Sequence, residues 1–230
     1  AGATGVVFRA RHENQMAPIA LKVLHDTLGT ITSLKRRFER EARVLSKLEH
    51  PNIVHITDFG VVEGLTFIAM ELLEGLTLEE VLDEAPVVPE RALDIAAEVL
   101  EGLAYAHEQQ VVHRDLKPAN VIVLAEPEAG RRVKLLDLGV AKLMPAFYAE
   151  GEAVTPPEGR IQTQAGAPLG TPGYMAPEVF MGASAAEGQD VFGLGVTLFR
   201  AATGRMPFTA ARVGIEEAPR WSHELGRSMP

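Results

Sequence analysis

The stretch "HRDLKPAN", His113 to Asn120, gathers a carboxylate, an ammonium group and a side-chain amide within a few residues. It follows a helix-like segment and precedes a strand-like one, so it sits on a loop. There Asp115, Lys117 and Asn120 can converge on one small volume. Near the start, "GATGVV", Gly2 to Val7, precedes "IALK", which ends at Lys22. Glycine lets a backbone approach phosphate oxygens and donate N–H bonds with no Cβ in the way, and a lysine adds positive charge. The chemistry suggested is that of phosphate groups. An Asp-x-Gly tripeptide occurs twice, at Asp58 in "HITDFGVV" and at Asp137 in "KLLDLGVA", and only one of them can serve the same site.

The elements that must hold these residues follow from patterning. "GVVFRARH", Gly5 to His12, and "PIALKVL", Pro18 to Leu24, are β-rich runs split by polar residues, which predicts a hairpin. From Ser33 to Leu48, apolar Leu34, Phe38, Ala42, Leu45 and Leu48 recur at helical spacing, and Pro51 cannot continue that helix. "NIVHITDFG" and "LTFIAMELL" predict two further strands joined by a turn at Val62 to Leu65. From Leu78 the pattern becomes helical: "LEEVLDEA", then "PERALDIAAEVLEGLAYAHEQQ", with Pro89 at a first-turn position. "NVIVLAEPEAGRRVKLLDLG" predicts two strands around the polar loop "AEPEAGRR". Met144 to Ala167 reads as an extended loop. Asp190 to Gly204 predicts an apolar helix despite its two glycines, and the residues after Phe208 give no pattern.

Taken together, these strings resemble the eukaryotic-type protein kinase family, in its serine/threonine branch and with a bacterial flavour. "HRDLKPAN" resembles the catalytic loop, "GATGVV" the end of the glycine-rich loop without its first glycine, and "IALK" the strand that carries the phosphate-binding lysine. "AMELLEG" resembles the hinge, "GTPGYMAPE" the substrate-docking loop, and Asp190 the aspartate that anchors the catalytic loop from a central helix. The resemblance implies an α+β, two-lobed kinase fold, with a small β-rich N-lobe carrying one helix and a larger, mainly helical C-lobe. Its parts are expected at 1–70 (N-lobe), 71–75 (hinge) and 76–230 (C-lobe), in a single domain truncated at both ends.

Roles follow from the same resemblance. Gly2, Gly5 and Lys22 are expected to position the phosphates of ATP, with Glu41 pairing to Lys22. Val7, Ala20 and Ile122 sandwich the adenine, and Met70 is the gatekeeper. The carbonyl of Glu71 and the N–H of Leu73 hold the adenine edge. Asp137 and Asn120 bind magnesium. Asp115 takes the proton of the acceptor hydroxyl, and Lys117 stabilises the group in transfer. In this family the magnesium aspartate follows the catalytic loop across a hairpin. That selects Asp137 and makes Asp58 a decoy at the end of a strand, while Leu138 replaces a phenylalanine as an apolar plug. Arg114 beside Asp115 implies activation by loop phosphorylation, with Thr163 the first candidate acceptor and Thr155 the second; Thr171 reads as a structural hydroxyl near Asp115 and Lys117.

The 230 residues include 47% hydrophobic and 23% charged side chains, ordinary for a globular domain with a real core. A net charge of −9 argues against a nucleic-acid binder. With no cysteine, disulfides, zinc-thiolate sites and thiol catalysis are excluded. No apolar run reaches the length of a membrane span, and the expected setting is cytoplasmic. The expected partners are ATP, magnesium and proteins with serine or threonine acceptors. Two alternatives explain fewer residues: a kinase-fold binding module without catalysis, and a small-molecule phosphotransferase, for which the docking loop would have no role. In the family, Glu178 pairs with an arginine of a late helix. Arg220 and Arg227 lie in a segment without that pattern, so the expectation is a chain of low solubility and little activity, with apolar surface bared on the helix from Asp190.

Overall fold

In the computed structural model, residues 5–11, 17–24, 32–128, 130–138, 171–180 and 186–208 are described. β1 (Gly5–Arg11) and β2 (Pro18–Leu24) form the expected antiparallel hairpin, with Val7 opposite Lys22. β4 (Leu65–Glu71) pairs with β2 and also with β3 (Ile56–Val62), giving the sheet order β1-β2-β4-β3. Residues directly opposite each other share a face. Ala20 faces Met70 and Lys22 faces Ile68, so Val7, Ala20, Lys22 and Met70 present one common surface. Gly5 begins that surface, and a Cβ there would sit 2.3 Å from the Val23 carbonyl oxygen, so only glycine fits.

Helix α1 (Thr32–Leu45) packs Phe38, Ala42 and Leu45 inward, and the Phe38 ring meets Phe59 of β3 edge-on at 6.2 Å. It stops short of the predicted end at Leu48. The Ser46 hydroxyl donates to the Arg43 carbonyl, and the chain turns before Pro51 is reached. The Asp58 tripeptide differs from expectation too: it lies inside β3, beside a bulge between Ile56 and Asp58, and not at the strand's end, while the turn falls at Glu63 and Gly64, within the predicted Val62 to Leu65. Both turn residues have positive φ, 51° and 82°, as a two-residue hairpin turn of this kind requires.

After the connecting residues Leu72 to Glu74 comes β5 (Gly75–Thr77), a strand too short to have been predicted. It leads into α2 (Leu78–Glu84), which opens with a reciprocal cap between Thr77 and Glu80. α3 (Pro89–Glu108) buries Ile95, Val99, Leu103 and Ala106. A 3₁₀ turn (Pro118–Asn120) leads to β6 (Val121–Glu128), which pairs with β5 and with β7 (Arg131–Leu135). Both strands run further than predicted, taking in most of the supposed loop "AEPEAGRR". α4 (Pro177–Phe180) is a single turn, and α5 (Glu187–Thr203) ends at Gly204, which has φ 69°. The buried core is continuous from Phe38, Leu45 and Ile68 through Leu78, Val99 and Leu103 to Leu116, Leu135 and Leu194. The fold is therefore mixed, with an antiparallel-sheet lobe above a mainly helical one.

Expectations that fall on Gly2, on Met144 to Ala167, on Thr155 and Thr163, and on Arg220 and Arg227 lie outside the described residues. Glu178 at the start of α4 is exposed, so no buried carboxylate is stranded there and that ground for expecting little activity falls away. On α5, Val191 and Phe199 are exposed among the described residues.

Candidate active site

A cleft of about 400 Å³ opens between the inner face of the four-stranded sheet and the loop around Asp115. Gly5, Val7, Ala20, Lys22 and Met70 line it from above, and Glu71 and Leu73 from the connection between lobes. Asp115, Lys117, Asn120, Ile122 and Asp137 line it from below. Of the described residues singled out in the sequence for the site, Glu41 alone is not among the lining. Asp58 is also absent; its carboxylate accepts from the Phe59 N–H at 2.8 Å on the sheet's other side, beside Ile19, Leu21 and Phe67.

The lower wall is held by many bonds. Asp190 of α5 is fully buried and accepts from the backbone N–H groups of His113 and Arg114, each at 2.8 Å. The same carboxylate meets His107 Nε2 at 2.8 Å, and the neighbouring Gln189 amide donates to the Arg114 carbonyl at 2.7 Å. Gly193, one turn on, lets α5 approach the loop, since a Cβ there would come within 2.9 Å of the Leu116 carbonyl oxygen. Charge-assisted bonds of this kind are strong, and they clamp the loop at its root. They leave Arg114 with φ 73°, a strained conformation the surroundings must enforce. Burial lowers the pKa of the Arg114 guanidinium, against the opposing pull of the Asp190 and Glu41 carboxylates.

At the tip, Lys117 Nζ donates to Asp115 Oδ2 and to Thr171 Oγ1, both at 2.7 Å. Asp115 Oδ1 accepts from the Thr171 N–H at 3.1 Å and from its hydroxyl at 3.2 Å. Thr171 therefore stands where the sequence put it, joining both charged groups. The Asn120 amide nitrogen donates to the Asp115 carbonyl at 2.7 Å and to Oδ2 at 3.3 Å. Both bonds use the nitrogen, which leaves the amide oxygen as the atom available to a hard cation. The Leu136 N–H donates to the Asn120 carbonyl at 2.9 Å, which fixes Asp137 relative to Asn120.

The upper wall corrects one expectation. Lys22 does not pair with Glu41: its Nζ meets Asp137 Oδ2 at 2.5 Å, while Glu41 Oε1 accepts from Arg40 at 3.0 Å. The reason is burial. Lys22 is 4% exposed, and an ammonium so placed needs an anion; Asp137, at a positive φ of 54°, aims its carboxylate at it. Glu41 sits on the side of α1 that reaches the exposed Arg40. Leu138, beneath Asp137, is buried as the apolar plug expected of it.

The sequence did not single out Val54, Leu72, Ala119 or Leu136, which also line the cleft. It also missed Lys134, 5% exposed in β7, which donates to both carboxylate oxygens of Glu71 at 2.7 and 2.9 Å and to Glu128 at 3.0 Å. A lysine set between the apolar Val133 and Leu135 was the available signal. Glu71 is thereby fixed twice, since its side chain also accepts from the His55 N–H at 2.8 Å.

Residues 1–221 match the family model described as protein kinase domain. The serine/threonine-protein kinase pkn2 of Myxococcus xanthus is 38% identical over 207 residues, which is 90% of this chain and 24% of that protein. The serine/threonine-protein kinase PrkC of Bacillus subtilis is 32% identical over 222 residues, 92% of this chain and 32% of that one. The chain thus spans about a quarter to a third of the length of these relatives. Among solved structures, the Mycobacterium tuberculosis PknI kinase domain superposes with a TM-score of 0.68 at 27% identity, covering 90% of this chain and 73% of the other.

Proposed function

The chain belongs to the protein kinase family, and from that premise we propose that it transfers the γ-phosphoryl group of ATP to serine or threonine hydroxyls of proteins. The observation that carries the reading is the joint presence of Lys22, Asp115, Lys117, Asn120 and Asp137 on one cleft wide enough for a nucleotide. Its lower wall is fixed before substrate arrives, as catalysis by positioning and electrostatics demands.

Val7, Ala20 and Ile122 offer apolar surface to the adenine ring from above and below, and the backbone of Glu71 and Leu73 offers its polar edge. Lys22 meets the phosphates with a buried positive charge. Asp137 and the amide oxygen of Asn120 would hold magnesium, with phosphate oxygens and water completing the shell that two protein oxygens leave open. Magnesium, when bound, neutralises charge building on the phosphate oxygens. Asp115 orients the acceptor hydroxyl and receives its proton as the new P–O bond forms and the bond to ADP breaks. Lys117, already bonded to Asp115, balances negative charge on the group in transfer. Lys22 and Asp137 neutralise each other in this state, so binding exchanges that contact for phosphate on one side and metal on the other.

The test is incubation with γ-labelled ATP, magnesium and a serine- and threonine-rich polypeptide, with the modified residues located by mass spectrometry. Magnesium-dependent label on serine or threonine supports the reading. Nucleotide binding without any transfer would favour a binding module, and label on an aminoglycoside or choline alone would favour a small-molecule phosphotransferase.

A further inference from the structure

Arg200 of α5 makes a contact that none of the roles above uses. Its guanidinium donates to Glu79 through both ends, Nη1 to Oε2 and Nη2 to Oε1, each at 2.7 Å. The same Nη1 donates to the Tyr174 hydroxyl at 2.7 Å. Glu79 stands in the first turn of α2, directly after the connection between lobes. Tyr174 ends the 3₁₀ turn Pro172–Tyr174, and its N–H bonds the Thr171 carbonyl at 2.9 Å. Thr171 in turn touches both Asp115 and Lys117. One side chain thus links the start of α2, the central helix and the segment whose threonine meets the proton-accepting carboxylate.

The three partners are partly buried: Arg200 is 21% and Glu79 34% exposed by side chain, and Tyr174 is 9% exposed. A forked guanidinium–carboxylate pair fixes direction as well as distance, which a lysine at the same place could not do. The Glu79 hydrogen bonds raise the pKa of Arg200, and burial raises that of the Tyr174 phenol, so both keep their protons throughout the neutral range. Nothing else described reaches the Tyr174 hydroxyl.

We propose that Arg200, locked by Glu79, is a positioning residue that holds the 171–176 segment in register with Asp115 for the protein acceptor. This rests on the reading that the cleft serves a protein hydroxyl. Arg200 does not line the nucleotide cleft, so its effect falls on the acceptor and not on ATP.

The experiment compares the full chain with Arg200→Met, Tyr174→Phe, Arg200→Glu, and the exchanged pair Arg200→Glu/Glu79→Arg. Two readouts are taken: amide hydrogen exchange over residues 171–176, and steady-state KM for peptide and for ATP. Arg200→Met is expected to speed exchange at Thr171 and Tyr174 and to raise the peptide KM by about tenfold, with the ATP KM unchanged, as for loss of a charge-assisted bond. Tyr174→Phe gives the same pattern, weaker, because the ion pair survives. The exchanged pair recovers protection lost in Arg200→Glu, since a phenol donates as readily as it accepts. Unchanged protection at 171–176 in Arg200→Met overturns the proposal. So do equal rises in both KM values with a lowered Tm, which would mark a merely structural role. Hydrogen exchange reads the positioning without any turnover, so a wild-type chain that transfers nothing would sink the proposed function while this inference is still decided.

Discussion

The two walls of the cleft are built differently. The lower wall hangs on Asp190, a fully buried carboxylate that meets His107, His113 and Arg114, and its tip is closed by Asp115, Lys117 and Thr171 bonding one another. The upper wall presents a single buried lysine whose only described partner is Asp137, across the cleft. The first is over-determined, so removing substrate changes little. The second depends on one ion pair, between the two groups proposed to take nucleotide phosphate and metal. Rigidity is therefore concentrated around Asp115, on the side proposed for the acceptor, and the wall proposed for the phosphates rests on a single contact.

The contrast can be broken most severely at Asp115. Asp115→Asn should lower kcat by about 10³-fold, in the range that general-base groups contribute, measured by ADP release in saturating ATP and peptide. A loss under tenfold would mean that positioning alone carries the reaction. Next comes Asp190→Ala, which leaves the His113 and Arg114 N–H groups buried without their acceptor. Its expected cost is about 3–5 kcal/mol in chemical denaturation. Lys22→Met should cost about 1 kcal/mol or less in the absence of nucleotide, because Asp137 is 25% exposed and can hydrate. If the two substitutions destabilise equally, the walls are not different in kind.

Glu41→Gln sharpens the same point. With Lys22 bound to Asp137 and Glu41 to the exposed Arg40, the nucleotide-free protein should change by no more than about 0.5 kcal/mol. A larger loss would show that Glu41 supports the buried lysine after all. The smallest effect is expected far from either wall, at His50. Burial lowers its pKa below the ordinary 6.5, with Glu101 raising it and Arg131 lowering it further. Its Nδ1 accepts the Asn52 N–H at 3.2 Å and its ring stacks on Tyr105, so the neutral form is the one that fits. The unfolded chain takes up that proton more readily. Stability should therefore hold above pH 6.5 and decline as pH falls below it, a slope that His50→Phe should flatten in thermal melts between pH 7.5 and 5.5.

What was legible in the sequence follows the same division. Asp115 and Lys117 lie together because they are two residues apart on one loop, and Asp190 reaches that loop from a helix whose pattern is strong, while the Thr171 contact spans more than fifty positions and rested on the family resemblance alone. Asp137 was separated from Asp58 by chain order, although the Asp58 tripeptide sits inside β3 and not at its end. The Lys22–Glu41 pair was not found, because which of several carboxylates a buried lysine meets is set by how α1 sits against the sheet, and no residue pattern encodes that. β5 was invisible at three residues, and the strands β6 and β7 outran their apolar stretches because charged side chains on an exposed face do not interrupt pairing. The fork of Arg200 on Glu79 joins residues more than a hundred positions apart and leaves no trace in spacing.

The central claim is that one cleft moves phosphate from ATP to a protein hydroxyl, with Asp137 and not Asp58 as its magnesium carboxylate. Magnesium-dependent transfer of γ-label to a serine- and threonine-rich polypeptide, measured side by side for wild type, Asp137→Asn and Asp58→Asn, tests it most directly. The account predicts transfer by the wild type, near-complete loss in Asp137→Asn, and activity within about twofold of wild type in Asp58→Asn, a surface change away from the cleft. Equal losses in the two variants, or no transfer by the wild type, would contradict it.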